Sequence, residues 1–218
     1  MWFFDGEDFQ WDFKALMPEY YPVKYKKYIQ EETNLLKSHL DKASRVLEAG
    51  VGIWRLIPII SPLVGEFVWV DNTDLMLKES EKVLNGFSNV KLIKCNLEDL
   101  DKLFPSDYFE YALCVWNTLG NVQDEAVVLK QISTVTEKSV FVTVYNKWTI
   151  EDRINWYETV GIEIKDIDLN EEVFYSESGL KSKSYSLDDL QKIVKKVDLK
   201  IIDSKVLWEV VLRAEIGS

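Results

Sequence analysis

This 218-residue sequence predicts an α/β fold: a mostly parallel sheet of seven strands with an antiparallel C-terminal strand, helices on both faces and a small hairpin insertion. Three observations predict it. Short β-rich runs alternate with helix-like sequence through the middle of the chain, which requires crossover connections and a parallel sheet covered on both sides. A Ser-Glu-Ser-Gly segment at 176–179 separates two further β-rich runs, as a hairpin turn would. The chain then closes on two β-rich runs too near each other for a parallel crossover, so they must pair antiparallel.

No polar or repetitive stretch marks a linker, so residues 1–218 are expected to form a single domain. Residues 1–40 read as an N-terminal aromatic and helical arm. Its first thirty positions carry Trp2, Phe3, Phe4, Phe9, Trp11, Phe13, Tyr20, Tyr21, Tyr25 and Tyr28. So many rings must cover something apolar, either the domain's own core or, as a lid, a ligand cleft. Trp11, Tyr21 and Tyr25 are the candidate lid or substrate-side residues. A helix pattern runs from about Tyr25 to Leu40, with Ile29, Leu35, Leu36 and Leu40 on one face.

Residues 41–165 form the expected core. Its strands are Val46-Leu47, Phe67–Val70, Val90–Ile93, Tyr111–Val115 and Val140–Val144, each followed by helix-like sequence. Residues 166–186 hold the hairpin, Glu171–Tyr175 and Leu180–Tyr185, with Gly179 at the loop. Residues 187–218 hold a helix and the antiparallel strands Leu199–Ile202 and Trp208–Leu212. Ser186 with Asp189 three residues on is a capping pattern, so the helix starts there and runs to about Val197. The lysines between Lys192 and Lys200 read as its solvated face.

Composition narrows the function. A content of 47% hydrophobic and 29% charged residues is that of a soluble globular protein, and no apolar run approaches a bilayer span. The acidic start, without a basic flank, predicts a cytoplasmic protein. Thirty-seven acids against 26 bases leave a net charge of -11, which repels phosphate backbones and disfavours a nucleic-acid partner. Cys95 and Cys114 lie in apolar runs and are expected to be buried reduced thiols, and a zinc site is excluded because His39 is the only histidine. His39 itself, on a helix before the first strand, reads as a surface or interface residue rather than a base.

The chemistry concentrates at Arg45-Val-Leu-Glu-Ala-Gly-Val-Gly-Ile-Trp-Arg55, followed by Asp71 at the end of the second β-rich run. Glu48, the glycines Gly50 and Gly52, and a carboxylate about twenty residues later suit a nucleotide-like ligand held by a strand-turn-helix unit. Glycine lets main-chain amides press against the ligand, and Asp71 can accept two hydrogen bonds from a ribose diol. At the fourth strand's carboxyl end, where open α/β sheets bind ligands, stand Trp116 and Asn117; the fifth strand delivers Tyr145 and Asn146 to the same edge.

With these residues the chain resembles the Rossmann-like class I methyltransferases that use S-adenosylmethionine, over roughly residues 40–215. Glu48, Gly50 and Gly52 match the family's acid-x-Gly-x-Gly-x-Gly pattern, and Trp54 replaces its last glycine, its ring either turned outward or narrowing the pocket. The resemblance implies S-adenosylmethionine as cofactor, held by Glu48, Ala49, Gly50, Gly52, Asp71, Asn72, Asn96, Leu97, Trp116 and Asn117. It places Asn96 at the adenine amino group and makes Tyr145 and Asn146 the candidates facing a small-molecule acceptor. Methyl transfer needs no metal and no obligatory strong acid or base, because collinear positioning supplies most of the rate. Two other readings compete: a methyltransferase-like scaffold without catalysis, and an NAD-dependent oxidoreductase, which the antiparallel ending disfavours.

Overall fold

The computed structural model describes residues 17–217 apart from positions 51, 53, 54 and 85. Trp11, Phe13 and the earlier aromatics, and the orientation of the Trp54 ring, lie outside the described residues.

The expected alternation is present. Strands β1 (Arg45–Ala49), β2 (Glu66–Asp71), β3 (Val90–Lys94), β4 (Phe109–Cys114) and β5 (Thr136–Asn146) pair in parallel in the order β3-β2-β1-β4-β5. At the chain's end β9 (Lys200–Leu207) and β10 (Val211–Gly217) are antiparallel to each other, and β10 is antiparallel to β5. The core order is therefore β3-β2-β1-β4-β5-β10-β9, with β10 alone reversed among the seven. Trp208 lies in the connection rather than a strand: it and Glu209 both have positive φ, and the Val210 amide closes the turn on the Leu207 carbonyl.

Side-chain alternation sorts the core to the two faces. Helices α3 (Asp74–Leu84) and α4 (Thr118–Asn121) follow β2 and β4. On one face Leu47, Val68, Val70, Val140 and Val142 pack with Val128, Leu129 and Ile132 of α5 (Glu125–Thr134) and Leu190, Ile193 and Val194 of α7 (Leu187–Lys196). On the other, Val46, Phe67, Trp69, Leu113 and Phe141 pack with Leu36 of α1 (Val23–His39) and Ile57 and Ile60 of α2 (Ile57–Ile60). Glu48 lies between neighbours of the first face, so it points to the α1 face.

α7 begins where the capping pattern placed it. Ser186 Oγ accepts from the Asp189 amide while the Asp189 carboxylate accepts from the Ser186 amide, satisfying two otherwise unpaired donors. Other helix expectations are corrected. After β3 the chain makes only a 3-10 turn, Leu97–Lys102, and after β1 a single α turn. Both segments are short and anchored by one or two buried apolar residues, too little for a long helix to cover the sheet. Cys114 is buried as expected, whereas Cys95 is only half-buried, because it follows the edge strand β3; both thiols are free.

The hairpin insertion is present as β7 (Val173–Ser176) and β8 (Lys181–Tyr185), and a third strand, β6 (Ile164–Asp168), joins it. It is not merely beside the sheet. Tyr145 pairs with Val211 of β10 and also with Ser184 of β8, so β8 takes the edge of β5 that β4 used as far as residue 142. The small sheet thus continues the large one past the carboxyl end of β4. Between it and the arm lies α6 (Ile150–Val160), whose Trp156 and Tyr157 enter a third cluster with Tyr21, Tyr25, Tyr28, Tyr145 and Phe174. No helix among the described residues is long and apolar enough to cross a membrane.

Candidate functional site

The bend after β1 is forced by contact with the end of β4. Gly50 has φ +75°, its amide donates to the Val70 carbonyl at 2.9 Å, and a Cβ there would collide with the Thr118 side chain. Thr118 Oγ1 donates to the Val115 carbonyl at 2.9 Å and reaches the Gly50 carbonyl at 3.3 Å. Glycine at position 50 therefore follows from close approach as well as from its dihedral. Gly52 also has positive φ, +54°.

Glu48 is buried at the end of β1, and its Oε2 has no hydrogen-bond partner among the described residues. Burial pushes its pKa up to about 8; Arg55 opposes that, and Glu32 and Asp71 add to it. Arg55, only partly exposed after the bend, pairs with Glu32 of α1 at 2.8 Å and stands 5.5 Å from the centre of the Trp116 ring. Burial works against its charge, but Glu32, Tyr28 and Tyr21 together outweigh this and raise its pKa. The other Glu32 oxygen accepts from Thr143 Oγ1 at 2.9 Å, and Thr143 in turn accepts from the Trp116 amide at 2.9 Å. One buried polar network thus links α1, the bend, β5 and the loop after β4.

Asp71 ends β2, and its Oδ1 accepts from the Thr73 amide and hydroxyl at 2.9 and 2.7 Å, fixing the carboxylate at the strand tip. Asn72 Nδ2 donates to Asn96 Oδ1 at 3.3 Å, which ties the ends of β2 and β3 together. Both asparagines, with Lys94, Cys95, Asp99 and Leu103, line a groove of about 370 Å³. Ala49 and Leu97 instead send their side chains into the core, leaving only their backbone to a ligand.

The loop after β4 carries strain. Trp116 and Asn117 are both left-handed, at φ +56° and +62°, a conformation uncommon outside glycine and found where surroundings enforce it. Asn117 is buried and engaged on all sides: its Oδ1 accepts from the Tyr145 amide at 3.0 Å, its Nδ2 donates to Ser182 Oγ at 3.3 Å, and its own amide donates to the Thr143 carbonyl at 2.9 Å. It clamps the loop to β5 and β8. Trp116 is enclosed by Tyr28, stacked at 5.6 Å, by Tyr21 at 4.6 Å and by Trp156 at 5.9 Å.

Of the acceptor-side candidates, Tyr145 is buried between the Tyr25 ring and the Arg153 guanidinium, with its hydroxyl 3.5 Å from that of Tyr157. Burial raises the pKa of Tyr21, Tyr25 and Tyr145, so none is a ready phenolate. Asn146 holds the β9–β10 connection, its Nδ2 donating to the Glu209 carbonyl at 2.9 Å. Tyr21 and Tyr25, read as lid residues, are buried in the third cluster against Trp116 and Trp156. His39 ends α1, its ring edge-on to Phe141.

Glu32, Arg55 and Thr118 went unmarked in the sequence. Glu32 had a legible signal, since Tyr25, Tyr28, Glu32 and Leu36 recur at helical spacing on the buried stripe of α1, and a charge there needs a buried partner.

No family model matches this chain, and no curated protein matches it. Solved structures do. An S-adenosylmethionine-dependent methyltransferase from Aquifex aeolicus superposes with a TM-score of 0.65 at 15% identity, over 94% of this chain and 96% of that one. The fold is that of the class I methyltransferases. The 1,6-didemethyltoxoflavin-N1-methyltransferase of Burkholderia thailandensis, crystallised with its substrate and S-adenosylhomocysteine, gives 0.62 at 14% identity over 85% and 76% of the two chains. The magnesium protoporphyrin IX methyltransferase of Synechocystis, with S-adenosylhomocysteine bound, gives 0.63 at 13% over 90% and 84%.

Proposed function

We propose that the protein is an S-adenosylmethionine-dependent methyltransferase acting on a small molecule. The observation that carries the reading is the unpartnered Glu48 oxygen, buried beside a glycine bend and the Asp71 carboxylate, on a fold shared with proteins crystallised with S-adenosylhomocysteine. A buried carboxylate left unpaired is costly, and a cationic ligand relieves that cost.

The residues present fit the cofactor. Asp71 is oriented toward a ribose diol by its Thr73 contacts, Asn72 and Asn96 border the groove where an adenine edge would lie, and Gly50 and Gly52 leave room for close approach. S-adenosylmethionine, when bound, supplies a methyl group that an acceptor lone pair takes as the carbon–sulfur bond breaks, its electron pair staying on sulfur. The chain's own part is positioning and exclusion of water. Asn117 fixes the loop after β4, Trp116 presents an aromatic wall, and Tyr21, Tyr25 and Trp156 back that wall. The small-molecule reading rests on the net charge of -11 and on the small sheet standing past β4, and the toxoflavin and protoporphyrin enzymes share the fold.

Isothermal titration with S-adenosylhomocysteine tests the cofactor assignment, with micromolar binding expected. Absence of binding there and with S-adenosylmethionine would sink it. Binding without transfer of radiolabelled methyl to any member of a nucleophile panel would favour the scaffold reading instead.

A further inference from the structure

β9 is the outer edge of the large sheet, opposite β3. Among the described residues it pairs with β10 alone, so the backbone groups it turns outward have no strand to bond. Free edges are commonly kept short or guarded by lysine or a bulge. β9 is eight residues long, the register slip between Asp203 and Ile201 leaves Ile202 as an exposed apolar bulge, and Val206 and, in the turn beyond, Trp208 are exposed as well. Its register with β10 sorts the other side chains by face. Ser204 and Val206 lie opposite Ala214 and Leu212, which pack toward α5 and α7. Asp203 and Lys205 lie opposite Glu215 and Arg213 on the α1 face, where Lys205 reaches Glu31 of α1 at 3.5 Å and Asp203 accepts from Arg213. Both Asp203 and Lys205 stay exposed, and exposed charges hold such partners weakly.

We propose that β9 pairs antiparallel with β9 of a second copy of this chain, about a two-fold axis at Ser204. The strand is self-complementary about that residue. Asp203 of each copy faces Lys205 of the other on the α1 face, and Val206 of each faces the Ile202 bulge of the other on the α7 face. An axis normal to the sheet keeps each face on its own side, so it must fall on a residue rather than between two. Moved one place, to Asp203 or to Lys205, it sets that charge against its own copy, and like charges directly opposite destabilise a strand pair. Ser204 is the position that joins opposite charges and apolar side chains together. The pairing makes one continuous sheet of the two large sheets, and because β9 runs in opposite directions in the two copies, their ligand edges open at opposite ends. Neither copy completes the other's site. An edge contact covers less than the roughly 1,600 Å² of a standard interface, and the charge of -11 on each copy opposes it, so a dissociation constant of about 10 μM is expected.

Sedimentation equilibrium of the full chain, loaded on both sides of that concentration, reads the association. The wild-type protein should fit a monomer–dimer equilibrium. A monomer at every loading overturns the proposal and leaves the edge to a different chain. Val206→Lys, an exposed position, should weaken the dimer by at least about tenfold, and a dimer of unchanged strength would place the interface elsewhere and overturn the proposal too. Two charge variants test the register. Asp203→Lys sets two lysines of one copy against two of the other, and Lys205→Asp does the same with aspartates, so each alone should weaken the dimer by about tenfold. Mixed in equal amounts, the two variants restore opposite charges at both crossings, and the wild-type dissociation constant should return within about threefold. Recovery on mixing cannot come from variants that failed to fold, and it would not follow from a contact at any other surface. Variants that dissociate alone and stay dissociated when mixed refute the Ser204 axis.

Discussion

Glu48 concentrates the strongest single-residue consequence. Its folded-state pKa, about 8, stands above the ordinary carboxylate value of about 4.3. Between those two values the folded protein holds a proton that the unfolded chain has released, so stability without ligand falls as pH rises through that window and levels off above it. Glu48→Gln should remove the fall. Denaturant unfolding is expected to find the variant close to wild type near pH 4 and more stable by several kcal/mol near pH 8, and parallel profiles for the two proteins would show that Glu48 ionises normally. The Gly50 position makes a second demand. Gly50→Ala adds a left-handed strain of about 1 kcal/mol and drives a methyl into Thr118, so we expect about 2–4 kcal/mol of destabilisation and loss of S-adenosylhomocysteine binding. A melting temperature unchanged from wild type would refute the close approach of the β1 and β4 ends. Gly50 and Asp71 were legible in the sequence because spacing along one strand-turn-helix unit encodes them. Arg55 was not singled out, because its meaning comes from a contact between α1 and the bend that no local pattern states; the buried stripe of α1 marks Glu32 as a charge needing a partner but not which partner it takes.

At the scale of elements, the strands were legible and the short helices were not. β2 and the second half of β5 are runs of β-branched and aromatic residues, and the other parallel strands are short apolar runs bounded by turns, a signal carried by the run itself. The turn after β3, Leu97–Lys102, has an equally helix-like acidic start, yet only Leu97 and Leu100 anchor it, and the chain tightens to 3-10 geometry. The third strand of the insertion was missed for the opposite reason. Ile164–Asp168 reads Ile-Lys-Asp-Ile-Asp, without a clean two-residue alternation, and pairs with β7 across a register irregularity, so its strand character depends on a partner that closes from later in the chain. α7 was legible to its first residue because a capping box is written in four consecutive positions. Ser186→Ala removes the side-chain acceptor for the Asp189 amide and should cost about 1 kcal/mol, read as a fall of a few degrees in melting temperature with ligand affinity unchanged. α7 packs on the face opposite Glu48, so a concurrent loss of S-adenosylhomocysteine affinity would contradict that separation of faces.

Across the whole molecule, β5 is the junction: β4, β10 and β8 all pair with it, so the cofactor-side strands, the C-terminal pair and the insertion meet on one strand. The Asn117 side chain reinforces the meeting point, touching β5 and β8 from the loop after β4. A sheet joined in this way is expected to open as one cooperative unit, since exposing β5 would strip three neighbours at once. Ligand binding at the β1 and β2 tips should then be felt at the far edge. With S-adenosylhomocysteine at about a hundred times its dissociation constant, mass action adds about 2.7 kcal/mol to the opening free energy. Hydrogen exchange should slow by about a hundredfold at the amides that β10 donates to β5 as much as at those joining β1 and β2. Protection confined to the β1–β2 half, with β10 exchanging as before, would mean that the junction does not couple the halves and that the chain opens in two independent parts.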